Sequence, residues 1–321
     1  MQTRYLIVAD ALDKLNPVFD LGVCVSVELI RRGIQVDYLD LYASDAEQDP
    51  GDYLEALPVR EVISADPARD EFWQLGDEHP AAIGDYRVVL HRTDPPVDER
   101  FVRYTSLFKG APESVLQVNR PPATYELSEH TTHLRYPEFA APTAVASSPD
   151  ELVAAVRSHS GEVVVKPENT YCGIGIDFVS PDRDEDALRR YWDEWGPEII
   201  VQPFLDAITS SGALRILTID TRVLGSVLRV PATGSRLANL HQGATAEALA
   251  PTPGQLEACR VVAEDLNPLG LHLLGLDFIG EHLNEVNITS PTTIVQINQV
   301  NGIRADIDLV DELERMWRER A

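Results

Sequence analysis

The segment that most restricts how this chain can fold is Gly275-Leu-Asp-Phe-Ile-Gly-Glu-His-Leu-Asn-Glu-Val-Asn-Ile-Thr-Ser-Pro-Thr292. Two stretches of alternating apolar and polar residues flank a turn near residues 280–282, which is the pattern of a β-hairpin. With the turn centred on Glu281, strand alternation sets Asp277 opposite Glu285 and carries Asn287 to the same face. Leu276, Phe278, Val286 and Ile288 fall on the other face, which must be covered, so the hairpin belongs to a sheet inside a larger body. Like charges opposed across a ladder destabilise it, and the sequence therefore predicts a cation between the Asp277 and Glu285 carboxylates. Hard oxygen ligands of this kind suit magnesium, which usually also takes phosphate oxygens and water. A solvated acidic face fits the spacing as well, and the apolar side of the hairpin is what speaks against it.

Upstream, Lys166 closes a Val-Val-Val strand and precedes Pro167 and a loop with Cys172-Gly-Ile-Gly175. Glycines let backbone N–H groups curve around an anion, and an ammonium beside them supplies a point charge for phosphate. A strand-end lysine before an ordinary hairpin loop is the plainer alternative. Arg215, Arg229 and Arg236 lie in or beside the strands that follow. They either oppose charge developing at a reacting group or make surface pairs.

The rest of the pattern alternates strands and helices. Residues 5–9, about 20–32 and 34–41 read as a β-α-β unit without the Gly-x-Gly-x-x-Gly dinucleotide fingerprint. An irregular acidic stretch is expected from there to about Asp85, followed by strands at 87–90 and 115–118. Asn119-Arg-Pro-Pro122 interrupts the pattern and places a boundary near residue 120. Beyond it the sequence predicts a helix-like stretch at about 123–134 and a helix at about 149–158 capped by Ser148. Strands are expected at 162–167, 176–179, 199–204, 214–219 and 223–230, and helices at 184–195 and 253–266, before the hairpin and a final helix.

Composition narrows the partners. Acidic residues outnumber basic ones by 52 to 27, for a formal charge of -25. A field of that sign repels phosphate backbones, so nucleic acid is excluded as a partner, and a nucleotide would need a local nest of cations, amides or metal ions. Lys14, Lys109 and Lys166 are the only lysines, a bias that fits either GC-rich coding or a salt-adapted surface. Three widely separated cysteines point to a reducing compartment rather than a disulfide framework. Neither an export signal nor an apolar run long enough for a membrane span is visible, so a cytoplasmic protein without membrane contact is expected.

A lysine before a glycine loop, then strand-borne arginines, then Asp277, Glu285 and Asn287 resemble the ATP-grasp family in order and approximate spacing. Within that family the chain is similar to the bacterial glutathione synthetases over nearly its whole length. The likeness rests on Arg92-Thr-Asp-Pro-Pro-Val-Asp98, Val118-Asn-Arg-Pro121, Val164-Val-Lys-Pro167, Arg236 with Asn239 and Gly243, and above all the hairpin segment. It implies an α/β ATP-grasp fold with a Rossmann-like lobe at 1–120 and an ATP-grasp part at 121–321. The latter would divide into a lid subdomain at about 121–200 and a metal and substrate subdomain at about 201–321.

The same resemblance implies roles. Asp277, Glu285 and Asn287 would bind magnesium or manganese. ATP would be held by Lys166, Gly173, Gly175 and His130, with Gln202, Phe204 and Leu205 in the adenine hinge. Arg215 would stabilise the reacting phosphate with Arg229 beside it, and Arg92, Arg236, Asn239, Ser290 and Thr292 would line the substrate side. The implied reaction joins a carboxylate to an amine through an acyl phosphate, shielded from water by the loop at 168–175. ATP and small peptide or amino-acid substrates would be the partners, and the family suggests a homo-oligomer.

Three features depart from the family pattern. His130 stands where an ungapped reading expects a lysine, Asn169-Thr-Tyr-Cys172 thins the glycine loop, and Ile208-Thr-Ser-Ser-Gly212 replaces acidic residues after the hinge. Three readings stay open: a ligase for γ-glutamylcysteine and glycine, the same chemistry on other peptide or amino-acid substrates in specialised metabolism, and a non-catalytic nucleotide-binding descendant.

Overall fold

A strand that is apolar on both faces must lie inside a covered sheet, and Tyr5-Leu-Ile-Val-Ala9 is such a strand. In the computed structural model, which describes residues 4–43, 56–168, 170 and 173–320, these five residues are at most 1% exposed in β1 (Arg4–Ala9). The Asp20 carboxylate accepts the Val23 N–H at 2.8 Å and caps α1 (Leu21–Arg31), which returns the chain to β2 (Gln35–Asp40), parallel to β1.

The stretch expected to be irregular instead contains β3 (Leu57–Ala65) and β4 (Trp73–Ala81), which extend the sheet antiparallel. Register shifts at Arg60/Val62 and Val62/Ser64 break their period-two pattern, and much of both strands is exposed. A hairpin at the margin of a sheet carries too little alternation to be read from sequence. After β5 (Val88–His91), α2 (Glu99–Thr105) and β6 (Leu116–Val118), the first sheet has the order β4-β3-β2-β1-β5-β6.

The double proline opens α3 (Pro121–Glu126), where an absent N–H costs nothing. This helix is shorter than expected because Glu129 is drawn away. Its Oε1 accepts the backbone N–H groups of Ile288 and Thr289 at 2.9 and 2.7 Å. The second sheet is wholly antiparallel. It is formed by β7 (Ala144–Ala146), β8 (Val163–Pro167), β9 (Asp177–Val179) and β10 (Ile199–Pro203), in the order β7-β10-β8-β9. Helices α4 (Pro149–Arg157) and α5 (Glu185–Trp195) cover one face through Leu152, Val156 and Leu188. Ser148 caps the first of them as expected, accepting the Glu151 N–H at 3.2 Å.

The third sheet follows the short α6 (Ala207–Ser211) and contains β11 (Ala213–Ile219), β12 (Arg222–Val230), β13 (Thr245–Glu247), β14 (Leu273–Ile279) and β15 (His282–Asn287). Its order is β13-β12-β11-β14-β15. Helix α7 (Pro253–Leu266) lays Ala258, Val262 and Leu266 on Leu214, Ile216, Leu276 and Phe278. Finally α8 (Ile294–Asn301) and α9 (Ala305–Arg320) join the core of the first lobe, where Leu309 and Leu313 cluster with Leu21 and Leu29.

One amide sets the first and third sheets against each other. Asn119, just past β6, donates to the carbonyls of Leu273 and Ile288, both at 2.6 Å, and accepts the N–H groups of His272 and Leu273, both at 2.8 Å. A buried amide satisfied at both ends fixes position as well as polarity. Among the described residues no helix is long and apolar enough to cross a membrane.

Candidate active site

The third sheet carries a charged row across its strands. Arg215 on β11 pairs with Asp277 on β14, which pairs with Glu285 on β15, and Arg229 lies on β12 at the other side of Arg215. The hairpin reaches this register in an unexpected way. Ile279 faces His282 and Phe278 faces Leu283 around a two-residue turn, and a register shift then leaves Asn284 unpaired. That bulge brings Glu285 rather than Asn284 opposite Asp277.

Asp277 is 4% exposed and is held by both arginines. Arg215 Nε and Nη2 donate to it at 2.7 and 2.6 Å, and Arg229 Nη2 approaches at 2.8 Å. Burial pushes this carboxyl upward, but the two guanidiniums outweigh it and hold it below the usual carboxylate range. This corrects the electrostatic argument made from sequence. The charge that Asp277 needs comes from neighbouring strands, so the hairpin is tolerable without an ion between its carboxylates.

Glu285 Oε1 lies 3.3 Å from His130 Nδ1, while His130 Nε2 donates to the Thr170 carbonyl at 2.7 Å. His130 thus stands between the loop after β8 and the hairpin. Lys166, 5% exposed, lies near these carboxylates. Its burial lowers the ammonium pKa, against the opposing pull of Glu285 and Asp277. Glu129, which sequence reasoning missed as a site residue, also reaches this region, and burial raises its carboxyl against the Thr289 N–H. No local pattern marks it, since its partners lie at the far end of the hairpin.

These groups share a cavity of about 390 Å³. Lys166, His130, Gly173, Arg215, Arg229, Asp277, Glu285, Asn287, Asn239, Ser290 and Thr292 line it, as do Gln202, Phe204 and Leu205 at the end nearest β10. Two expected residues do not. Gly175 has φ +78°, and a Cβ there would lie 2.7 Å from Pro167 Cγ, so it serves the close return of the loop. Arg92 lies outside the lining at 1% exposure, with Nη2 3.5 Å from the Ser290 carbonyl and, among the described residues, no hydrogen-bond partner for Nε or Nη1. Cys172, with Asn169 and Tyr171, falls outside the described residues.

Arg236 also lines the cavity, at the end nearest Phe204. Its guanidinium lies 4.8 and 4.6 Å from the ring centres of Phe178 and Phe204, and it pairs with Glu162 at 2.9 Å. The two rings meet edge to face at 5.7 Å. Cation–π attraction and the ion pair therefore seat Arg236 at the hinge end of the lining, while the Ser290 hydroxyl contacts the Arg92 carbonyl.

Among the described residues no group of three or more His, Cys, Asp or Glu side chains forms a metal cage. The expected set is two carboxylates and one amide. Asn287 gives its N–H atoms to the Gly275 carbonyl at 3.1 Å and Asp277 Oδ2 at 3.4 Å, leaving its oxygen as an acceptor. This donor set fits magnesium in the mode that depends on substrate phosphates, since that ion is commonly held by one or two carboxylates rather than by a full protein shell.

Comparison with known proteins gives the family and the fold. Residues 3–124 match the prokaryotic glutathione synthetase N-terminal domain, and residues 129–302 match the prokaryotic glutathione synthetase ATP-grasp domain. The glutathione synthetase of Prochlorococcus marinus is 33% identical over 307 residues, covering 94% of this chain and 95% of that protein. That of Vibrio parahaemolyticus is 29% identical over 314 residues, covering 96% and 97%. The solved structure of the ATP-grasp ligase PsnB complexed with minimal precursor shares the fold, with a TM-score of 0.63, 15% identity and coverage of 97% and 98%. The chain is a member of the prokaryotic glutathione synthetase family, with an ATP-grasp fold.

Proposed function

We propose that the protein is an ATP-dependent carboxylate–amine ligase that joins γ-glutamylcysteine to glycine through an acyl phosphate. The observation that carries this reading is the row of Arg229, Arg215, Asp277 and Glu285 facing Lys166 in one cavity of a glutathione synthetase-family chain. The working boundaries are a first lobe to about residue 120, a lid subdomain to about 200 and a metal and substrate subdomain beyond.

The hinge end, with Phe204 and Leu205, receives the base, and Lys166 receives a phosphate oxygen. A buried lysine makes this contact strongly because little water competes for it. Asp277, Glu285 and the Asn287 oxygen would hold magnesium, which would neutralise phosphate charge when bound. Arg215 and Arg229 face Asp277 on the same side as the incoming phosphates, so both can share their donors with a phosphoryl oxygen. The substrate carboxylate oxygen attacks the terminal phosphorus and ADP leaves. The amine nitrogen then attacks the acyl carbon, phosphate departs, and the nitrogen loses a proton. Both steps concentrate negative charge on oxygen, which the paired guanidiniums are placed to stabilise.

A second reading, other acceptors for the same chemistry, is favoured by His130. Its hydrogen bond to Thr170 and its approach to Glu285 tie this position to the loop and hairpin. Phosphate release with ATP and magnesium should require γ-glutamylcysteine and glycine together. Release only with another carboxylate and amine would transfer the reading to that pair, and nucleotide binding without release under any pair would overturn ligase activity.

A further inference from the structure

Gln202, the fourth residue of β10, is 4% exposed and lines the hinge end of the cavity. Its Nε2 donates to Thr143 Oγ1 at 3.0 Å and to His133 Nε2 at 3.1 Å. The single Thr143 hydroxyl hydrogen has the Ala141 carbonyl at 2.9 Å and His133 Nε2 at 3.4 Å within reach; the shorter contact takes it, so toward Gln202 this oxygen accepts. His133 Nε2 must likewise accept, which places the ring proton on Nδ1, a buried atom on which the His130 backbone bears. Burial, with Lys166 and His130 nearby, pulls the His133 pKa down to about 3 and keeps the ring neutral.

Both hydrogens of the Gln202 amide are thus committed to the wall. Its Oε1 receives no hydrogen bond from any described group and is not among the atoms sealed from solvent. The polar atom that Gln202 presents to the cavity is an acceptor. We propose that His133 is a positioning residue which, together with Thr143, fixes this orientation and makes the site select a 6-aminopurine triphosphate over a 6-oxopurine triphosphate. This rests on the reading of the cavity as a nucleotide site.

A 6-amino group donates to Oε1, whereas a 6-oxo group sets two acceptors face to face with neither satisfied. Removing the His133 acceptor frees the amide to rotate and offer its N–H atoms instead, which a 6-oxo group accepts. A role confined to holding the wall together would weaken both nucleotides alike. The ratio between them separates the two roles.

The test compares the dissociation constants of ATP and inosine triphosphate, which differ in the hydrogen-bonding edge at purine C6. They are measured by titration calorimetry on the native chain, His133→Leu and Thr143→Val, with folding checked by circular dichroism. The native chain should prefer ATP by at least about tenfold, and His133→Leu should reduce this to within about threefold, as expected for loss of one oriented hydrogen bond. Thr143→Val should move the ratio the same way and decides the matter if His133→Leu does not fold. Equal affinities in the native chain, or a preference kept intact while both affinities fall, would overturn the positioning role and leave the nucleotide site standing. Binding of neither nucleotide by the native chain would overturn both.

Discussion

At the sheet end of the cavity, two cations on neighbouring strands, Arg229 and Arg215, hold Asp277 on the next strand, with Glu285 beyond it. At the hinge end, Gln202, His133 and Thr143 hold one another through neutral hydrogen bonds, and Arg236 is turned onto Phe178, Phe204 and Glu162. The two ends answer a ligand differently. Asp277 and an incoming phosphate compete for the same guanidiniums, so the charged end has something to exchange. The neutral end is already arranged, since both hydrogens of its amide are engaged before any base arrives. Charge here supplies strength that can be redistributed, whereas hydrogen-bond direction supplies discrimination.

The largest effect should come from Asp277→Ala. Removing this carboxylate leaves Arg215 and Arg229 buried without their shared counter-ion, a change expected to cost about 3–5 kcal/mol of folding stability. Phosphate release should also fall by about a thousandfold or more, because the arginines lose their alignment and the metal a ligand. Urea unfolding within about 1 kcal/mol of the native chain would mean that the row is not a coupled unit.

Lys166→Met should separate function from stability at the same end. Burial lowers the Lys166 pKa more than Glu285 and Asp277 raise it, so its charge is a net burden on the folded state. The variant should therefore unfold at an equal or higher urea concentration while binding ATP about a hundredfold more weakly, through loss of a desolvated phosphate contact. A destabilisation like that of Asp277→Ala would show that Lys166 is instead a structural partner of the row.

The same contrast explains what could be read from sequence. The hairpin was legible because Leu276, Phe278, Val286 and Ile288, all buried, recur at alternate positions on one packed face. The helix at 253–266 forms as Pro253–Leu266, bounded by a reciprocal cap in which Thr252 accepts the Gln255 N–H at 3.2 Å and Gln255 accepts the Thr252 N–H at 2.9 Å. These are local signals. The charge balance of Asp277 was not legible, because it depends on the register of β11 and β12, and a register between distant strands leaves no mark in either sequence. His133 and Glu129 were missed for the same reason. Their partners come from β10 and from the residues after β15, while their own neighbours are polar and irregular. For Arg236 the resemblance gave a place in the cavity lining, but not the two rings that its guanidinium covers.

The smallest effect should come from Arg236→Ala. The ion pair with Glu162 is partly exposed, at 41% and 35% of the side chains, and exposed pairs add little to stability because water and salt screen them. The unfolding midpoint should therefore stay at its native value. What Arg236 covers is the edge of the base end, and without it Phe178 and Phe204 lose a cation packed on both rings. ATP affinity should fall by about threefold, consistent with a cation–π contact at an accessible site. The difference from the native chain should also shrink between 0.1 M and 1 M salt, as the screening length drops from about 10 to about 3 Å. Titration calorimetry at the two salt concentrations reads both quantities. A loss as large as that from Lys166→Met, or one that persists in molar salt, would place a strong charge contact at the hinge end and erase the distinction between the two ends of the cavity.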